Sequence, residues 1–159
     1  MLLPGRFGAS EDRMDFDDSL PWRDIRSQGF NAHIGPIRFA RAGEAEWRAA
    51  LVIEARHINV GGVCHGGVLM TLADVAMGAA TFEAAGGHPC ATISFDCHFV
   101  AAAKLDQRLI AESRQTRRVR ELSFMDCTLW AGGRQVMRAS GIWKYLASRE
   151  PGATGKGAP

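Results

Sequence analysis

The sequence predicts an α+β domain in which one antiparallel sheet surrounds a single long helix. Residues 66–82 form the one long apolar run that fits a helix, about 25 Å long at 1.5 Å per residue. A hairpin-like pair of segments at 31–55 precedes it, and four segments with strand-like alternation follow it. A hairpin, a helix and then four strands, in this order, favour one sheet packed around one helix.

The composition is that of one globular domain. The chain has 159 residues, of which 47% are hydrophobic and 23% charged, enough to bury one core. The net charge of +2 is too small to indicate a nucleic-acid partner. Four cysteines without a CxxC pair, and a start without a signal-peptide core, favour reduced thiols in a cytoplasmic protein. No uncharged run resembles a membrane span, so no membrane partner is expected.

The two ends differ from the middle of the chain. Residues 1–29 are predicted to be an N-terminal extension with a short helix, because Ser19 suits an N-cap and Gly29 suits a stop. Residues 30–146 form the predicted folded domain. Residues 147–159 are rich in small residues, Gly and Pro, and we expect a flexible tail there.

The four strand-like segments after the helix are joined by short connections. They cover 91–100, 106–116, 121–131 and 134–145. Alternation in the first segment predicts a core-facing side and a polar side. The core-facing residues would be Ile93, Phe95, Cys97 and Phe99, and the polar ones Thr92, Ser94, Asp96 and His98. In the hairpin, Pro36 favours an edge or bulged strand.

Asp74 stands in the middle of the apolar helix. An unpaired carboxylate in an apolar interior costs several kcal/mol, and no Lys or Arg lies within one helical turn. Asp74 must therefore be neutral, paired or open to a wet cavity; bonding to backbone groups or plain solvent exposure is the alternative. Its neighbours on the helix face are small or softly apolar, which suits contact with a ligand or another chain. They are Met70, Thr71, Met77, Gly78 and Thr81.

The glycine-rich loop before the helix suits an oxyanion. A helix that begins near Gly66 offers free N–H groups, and Asn59 and His65 can add side-chain donors. With Asp74 to orient or deprotonate a water, this chemistry favours ester or thioester hydrolysis. Each residue also has a structural interpretation: the glycines would permit turns, His65 would be a helix-cap donor, and Asn59 would stabilise its own loop.

Two other kinds of site remain open on the same stretch. A Cys64/His65 nucleophile pair is disfavoured because neighbouring side chains diverge. A zinc site at His57 and His65 is disfavoured because the scattered cysteines match no usual ligand spacing. We expect no metal.

The loop and helix together resemble the hotdog-fold thioesterases, in particular the phenylacetate-degradation (PaaI-like) type that acts on acyl-CoA. The resemblance covers about residues 30–146. The residues that carry it are Asn59-x5-His65-Gly66-Gly67, Thr71-Leu72-x-Asp74, Thr92, and the pair Gly141 and Trp143. It implies a hotdog fold, in which one antiparallel sheet wraps around a long central helix.

The resemblance also implies roles for individual residues. Asn59 and the Gly66 N–H would polarise the thioester carbonyl, and His65 would hold the loop or the substrate. Asp74 would be the general base or a nucleophile, and Thr92 would position the water. The family implies a homodimer or a homotetramer built from two dimers, with Asp74 and the loop of one active site on different subunits. It implies no cofactor, since coenzyme A is part of the substrate.

A group of arginines near residue 120 is the candidate binding site for the coenzyme A phosphates. It comprises Arg114, Arg117, Arg118 and Arg120. Arg118 and Arg120 are the chosen ligands, and Arg120 aligns with a family Arg that usually follows Gly. Val119 takes the place of that Gly, which puts the local backbone shape and the contacts in question. A solvated basic turn is the alternative interpretation.

Two further functions compete with hydrolysis of a thioester. A hotdog hydratase or dehydratase would use His65 and Asp74 as acid and base, and a non-catalytic module would bind acyl-CoA without turnover. The Asn-led loop favours the hydrolase. The acyl group itself is not predicted: Trp130, Trp143 and Phe82 are candidates to line its pocket, or are plain core.

Overall fold

The computed structural model describes residues 17, 19–25 and 28–147, which contain seven strands and two α-helices. The strands are β1 (Arg23–Asp24), β2 (Arg38–Arg41), β3 (Glu46–Val52), β4 (Cys90–Phe99), β5 (Arg108–Val119), β6 (Leu122–Ala131) and β7 (Arg134–Tyr145). The helices are α1 (Phe30–Ile34) and α2 (Gly66–Ala84), and a 3-10 turn covers Ala55–His57. One sheet runs in the order β1-β2-β3-β5-β6-β7-β4, with every neighbouring pair antiparallel. The predicted fold class is confirmed.

Helix α2 packs along the inner face of the sheet and forms the centre of the core. Leu72, Ala73, Ala76, Met77 and Ala80 are fully buried on it. The alanines lack bulk, so the helix lies close against the large side chains of the strands. By length and hydropathy α2 could also span a membrane. Its contacts with five strands explain the apolar composition as that of a core helix.

The long helix and the last four strands begin and end within three residues of their predicted positions, the largest difference being the end of β5 at Val119. The short helix predicted between residues 19 and 30 is wrong for the described residues. Arg23–Asp24 instead form β1, and the Ile25 N–H donates to the Ile37 carbonyl at 2.9 Å. Pairing with β2 satisfies these backbone groups, which outweighs a weak local preference for helix. The five-residue α1 begins at Phe30, where the predicted helix ends.

The hairpin is also shorter at its start than predicted. Its first strand begins at Arg38, so Pro36 lies between α1 and β2 and not within a strand. The predicted flexible tail falls largely on residues 148–159, which lie outside the described residues. The division of the chain at residues 30 and 146 stays a prediction.

Strand β4 carries a bulge that the alternation in the sequence does not reveal. Thr92 pairs with Trp143 and Ser94 pairs with Ile142, so Ile93 is an extra residue in the strand. A one-residue insertion reverses the side to which the preceding side chains point. Thr92 therefore faces the helix, on the same side as Phe95, and its predicted place on the opposite polar side is wrong. Ile93 is 57% exposed and Phe99 53% exposed, so neither belongs to the core as predicted.

Candidate active site

Asp74 lies in the middle of α2, half-buried at the edge of an open cleft of about 360 Å³. The Thr92 hydroxyl donates to Asp74 Oδ1 at 2.8 Å across from β4. Among the described residues, no Lys, Arg or His forms an ion pair with this carboxylate. Of the alternatives that the sequence leaves open for Asp74, the structure shows a carboxyl group that faces a cavity and accepts a hydrogen bond from one hydroxyl.

The β4 bulge creates this contact. Without the extra residue Ile93, Thr92 would point away from α2. Cys90, two residues earlier, also faces the helix, and its thiol donates to the Gly78 carbonyl at 3.5 Å. Only part of the predicted Asp74 face is open, since Met77 and Thr81 are fully buried against the sheet.

The loop residue Asn59 is held by its own loop. Its Oδ1 accepts the Gly61 N–H at 2.8 Å and the Val63 N–H at 3.3 Å. This is the loop-stabilising interpretation of a lone Asn. These two hydrogen bonds also fix the orientation of the side-chain amide, with Oδ1 directed into the loop. Nδ2 has no acceptor among the residues that the structure describes. Asn59 thus keeps one free donor after it has shaped the loop.

His65 is the N-cap of α2. Its Nδ1 accepts the Gly67 N–H at 2.9 Å, which places the ring proton on Nε2. The role is that of a cap acceptor and not a cap donor. A Cβ at Gly67 would lie 3.0 Å from Nδ1, so glycine there leaves room for the ring. The Gly66 N–H is one of the first N–H groups of the helix, which have no acceptor within the helix.

The structure gives no support to a nucleophile at Cys64. The side chain is buried, and burial raises the pKa of its thiol to about 11, so little thiolate forms at neutral pH. The His65 ring is engaged in capping α2. His57, the other zinc candidate, is buried and uses both ring nitrogens: Nδ1 accepts the Glu54 N–H, and Nε2 donates to the Ile34 carbonyl, each at 3.0 Å.

The glycine-rich loop and the Asp74 carboxylate open into different clefts of the same chain. Gly66 lines a second cleft of about 390 Å³ with Phe99, Val63 and Leu69. Within the described part of the chain, no residue lines both clefts. Gly66 and Asp74 are also about 12 Å apart along the helix axis at 1.5 Å per residue. A carbonyl held at Gly66 therefore lies beyond the reach of Asp74 of the same chain.

The candidate coenzyme A arginines lie at the far end of β5. The Arg118 guanidinium stacks 4.5 Å from the centre of the Tyr145 ring. Tyr145 pairs with Cys90, so Arg118 lies at the same end of the sheet as the Asp74 cleft. Arg120 is exposed in a two-residue turn, with a left-handed φ of 51° that usually favours glycine. The left-handed conformation is therefore at Arg120 itself and not at Val119, which takes the place of the family Gly. Val119 is the last residue of β5 and pairs with Leu122.

Comparison with known proteins identifies the family. The model of the thioesterase superfamily matches residues 61–138, which include the loop, α2 and β4. The Pseudomonas aeruginosa protein named "Putative esterase PA0474" is 32% identical over 111 residues, 69% of this chain and 83% of that protein. The chain belongs to the thioesterase superfamily.

Solved structures of thioesterase-superfamily proteins show the same hotdog fold. A mutant of the phenylacetic acid degradation protein PaaI from Thermus thermophilus superimposes with a TM-score of 0.66, at 22% identity, over 74% of this chain and 98% of that chain. A hypothetical thioesterase from Streptococcus pneumoniae, solved with coenzyme A, gives a TM-score of 0.65 at 22% identity, over 72% of this chain and 91% of that one. The predicted hotdog fold and the resemblance to PaaI-like thioesterases are confirmed.

In this thioesterase-superfamily chain, two residues that line the Asp74 cleft are not among the site residues predicted from the sequence. Ile25 and Asn31, from the N-terminal extension and α1, line the Asp74 cleft together with Trp143 and Phe82. Nothing local in the sequence marks Ile25 or Asn31 for this position. Trp130, the third aromatic candidate, is elsewhere: its indole N–H donates to Glu112 at 3.0 Å.

Proposed function

We propose that this protein is an acyl-CoA thioesterase that hydrolyses a thioester to a free acid and coenzyme A. The observation that carries the proposal is the Asp74 carboxyl group, half-buried at a cleft and hydrogen-bonded to Thr92. The loop supplies the hydrogen-bond donors that would hold the substrate carbonyl while Asp74 activates water. The Asn59 amide and the Gly66 N–H are two donors free to bind a carbonyl oxygen.

The proposed reaction begins with the substrate carbonyl held by Asn59 and Gly66. Asp74 takes a proton from a water molecule, and the water oxygen attacks the carbonyl carbon. The resulting oxyanion stays on the two donors until the carbon–sulfur bond breaks. The proton held by Asp74 then passes to the leaving sulfur, which gives the free thiol of coenzyme A and restores the Asp74 carboxylate. The Thr92 hydroxyl donates to Asp74, so its oxygen lone pairs remain free to accept from the water and position it. A direct attack by Asp74 is the less favoured variant, because Thr92 already occupies one of its oxygens.

The separation of the two clefts supports a site shared between two chains. Asp74 and the loop cannot serve one carbonyl within a single chain, so a second copy must supply one of them. Strand β4 offers the surface for it, because β4 lies at the end of the sheet and pairs only with β7 in the described chain. Exposed apolar side chains also cluster on β4, α2 and the loop. They are Val60, Met70, Ile93, Phe99 and Val100.

We therefore propose a homodimer through β4, with a homotetramer of two dimers as the larger assembly. Antiparallel pairing of the two β4 edges would cover their unpaired backbone groups. It would also bring each loop toward the Asp74 cleft of the other chain. A cytoplasmic location fits the four cysteines, all of them free thiols.

Hydrolysis of an acyl-CoA panel tests the proposed activity. Asp74→Asn should lower kcat by about 10²–10⁴-fold, because it removes the general base and keeps the shape. Asp126→Asn, at an exposed position on β6, is the matched control and should leave kcat unchanged. Full activity of Asp74→Asn would contradict the assignment. Water addition to an enoyl-CoA without thioester cleavage would establish a hydratase instead, and tight acyl-CoA binding without turnover would establish a binding module.

The proposed roles of Arg118 and Arg120 have a separate test. If these residues bind the phosphates of coenzyme A, Arg120→Ala and Arg118→Ala should raise KM for an acyl-CoA several-fold. The same variants should leave KM unchanged for the N-acetylcysteamine thioester of the same acid, which has no phosphates. An equal effect on both thioesters would contradict phosphate binding and indicate a structural role, for example in the stacking of Arg118 on Tyr145.

A further inference from the structure

The cleft beside Asp74 is walled by parts of the chain that are distant in sequence. Helix α2 contributes Val75, Ala79 and Phe82, and the N-terminal extension contributes Ile25. These side chains make most of the lining apolar. The volume of about 360 Å³ is at the lower end of the range for ligand pockets, which suits a short acyl group.

The N-terminal wall is fixed to the domain by specific contacts. Arg23 donates to Glu83 at 2.7 Å near the end of α2, and its guanidinium lies 5.0 Å from the centre of the Phe39 ring. Glu83 also accepts the Trp47 indole N–H at 3.0 Å. The extension is therefore tied both to the helix and to the sheet on either side of the cleft.

Trp143 presents an unpaired hydrogen-bond donor to the cleft. The residue is 1% exposed, yet its indole N–H has no acceptor among the described residues. Every fully buried side-chain nitrogen or oxygen in that part of the chain does have a partner, so the Trp143 Nε1 atom must be reachable from the cleft. Gly78 leaves it uncovered, because a Cβ there would lie only 3.3 Å from Nε1. A buried indole N–H normally has a partner, and none is supplied here.

Asn31 presents a second unpaired polar group to the same cleft. Its main-chain carbonyl accepts the Gly35 N–H at 2.9 Å, but its half-buried side-chain amide has no partner within the described residues. The amide offers both a donor and an acceptor. Besides Asp74 and Thr92, which bond to each other, the cleft thus contains two polar groups that a bound molecule can satisfy.

We propose that Trp143 and Asn31 recognise an oxygen on the acyl group, so that the enzyme prefers acyl chains with a hydroxyl or oxo substituent over plain hydrocarbon chains. The proposal rests on the thioesterase function proposed above. A hydrocarbon chain would cover both groups and leave them without water or partner, whereas a hydroxyl or oxo oxygen accepts the indole N–H. The loss of one such bond beneath a bound acyl chain corresponds to about a ten- to hundredfold difference in kcat/KM.

The test compares hexanoyl-CoA with its 3-hydroxy, 3-oxo and 6-hydroxy derivatives. At least one oxygenated substrate should exceed hexanoyl-CoA in kcat/KM by about tenfold or more. Trp143→Phe removes the N–H and keeps most of the ring, and Asn31→Leu removes the amide and keeps the size. Each should lower kcat/KM for the oxygenated substrate by more than it changes kcat/KM for hexanoyl-CoA, so that the ratio of the two values falls toward one. Ala32→Leu, exposed on the same helix, is the control and should keep the preference.

The outcomes separate this proposal from the general one. Hydrolysis of hexanoyl-CoA at least as fast as all three derivatives would overturn the preference and leave the thioesterase function intact. Equal losses on both kinds of substrate in Asn31→Leu would overturn the role of Asn31 as a specificity residue. If Trp143→Phe fails to fold, Asn31→Leu alone decides. Hydrolysis of no acyl-CoA of any kind would overturn both proposals.

Discussion

At the scale of single residues, the chemistry of the loop and helix is readable from the sequence because it is local. Asp74 has no cation within a helical turn, so a cavity could be expected, and the structure places it at one. His65 lies immediately before the helix, where a cap is expected, but its ring accepts the Gly67 N–H and does not act as the predicted donor. The free Nδ2 of Asn59 could not be foreseen, because it depends on which side of the amide the loop holds.

Cys64 provides a residue-scale prediction. Because its thiol is buried with a pKa raised to about 11, and His65 caps the helix, Cys64→Ala should keep kcat within a few-fold of the wild type at pH 7. The comparison is made per folded protein, since loss of a buried side chain lowers stability somewhat. A loss of activity as large as that of Asp74→Asn would show that the thiol takes part in the chemistry.

At the scale of elements, hydrophobic periodicity predicts the ends of α2 and of the last four strands to within three residues, since each pattern is long and follows one period. The prediction from periodicity fails where a single inserted residue interrupts the alternation of side chains along a strand. The bulge at Ile93 turns Thr92 toward Asp74, and a pattern read as strict alternation places it on the wrong side. It also fails for β1, a two-residue strand that exists only through its pairing with β2. Both errors concern contacts between segments that no local window contains.

The pairing of β4 with β7 gives the element-scale prediction. Gly141 pairs with Phe95 just past the bulge, and a Cβ there would lie 2.7 Å from the Ser94 carbonyl oxygen and 2.6 Å from the Trp143 ring. Because a backbone atom cannot easily yield, Gly141→Ala should lower the free energy of unfolding by about 1–3 kcal/mol. Gly43→Ala, whose Cβ would meet only Glu46 at 3.5 Å, is the control for denaturant unfolding. Equal stability of the two variants would contradict the close packing at Gly141.

At the scale of the whole molecule, the cleft wall is the part that is least predictable from the sequence, because tertiary contacts between distant segments build it. Ile25 and Asn31 line the Asp74 cleft although they are more than forty residues away from Asp74 in sequence. Only the structure shows that the loop and the carboxylate open into separate clefts. The proposed site, shared between two chains, follows from that separation. It requires a second copy of the chain paired at β4.

Mixing two inactive variants tests this claim most directly. Asp74→Asn and Asn59→Ala chains are co-expressed with different tags, and the heterodimers are compared with each variant alone. In a heterodimer one site would carry both substitutions and the other neither, so an equal mixture should recover about a quarter of the wild-type kcat. Activity no higher than that of either variant alone, in heterodimers shown to be present, would contradict a site shared between chains.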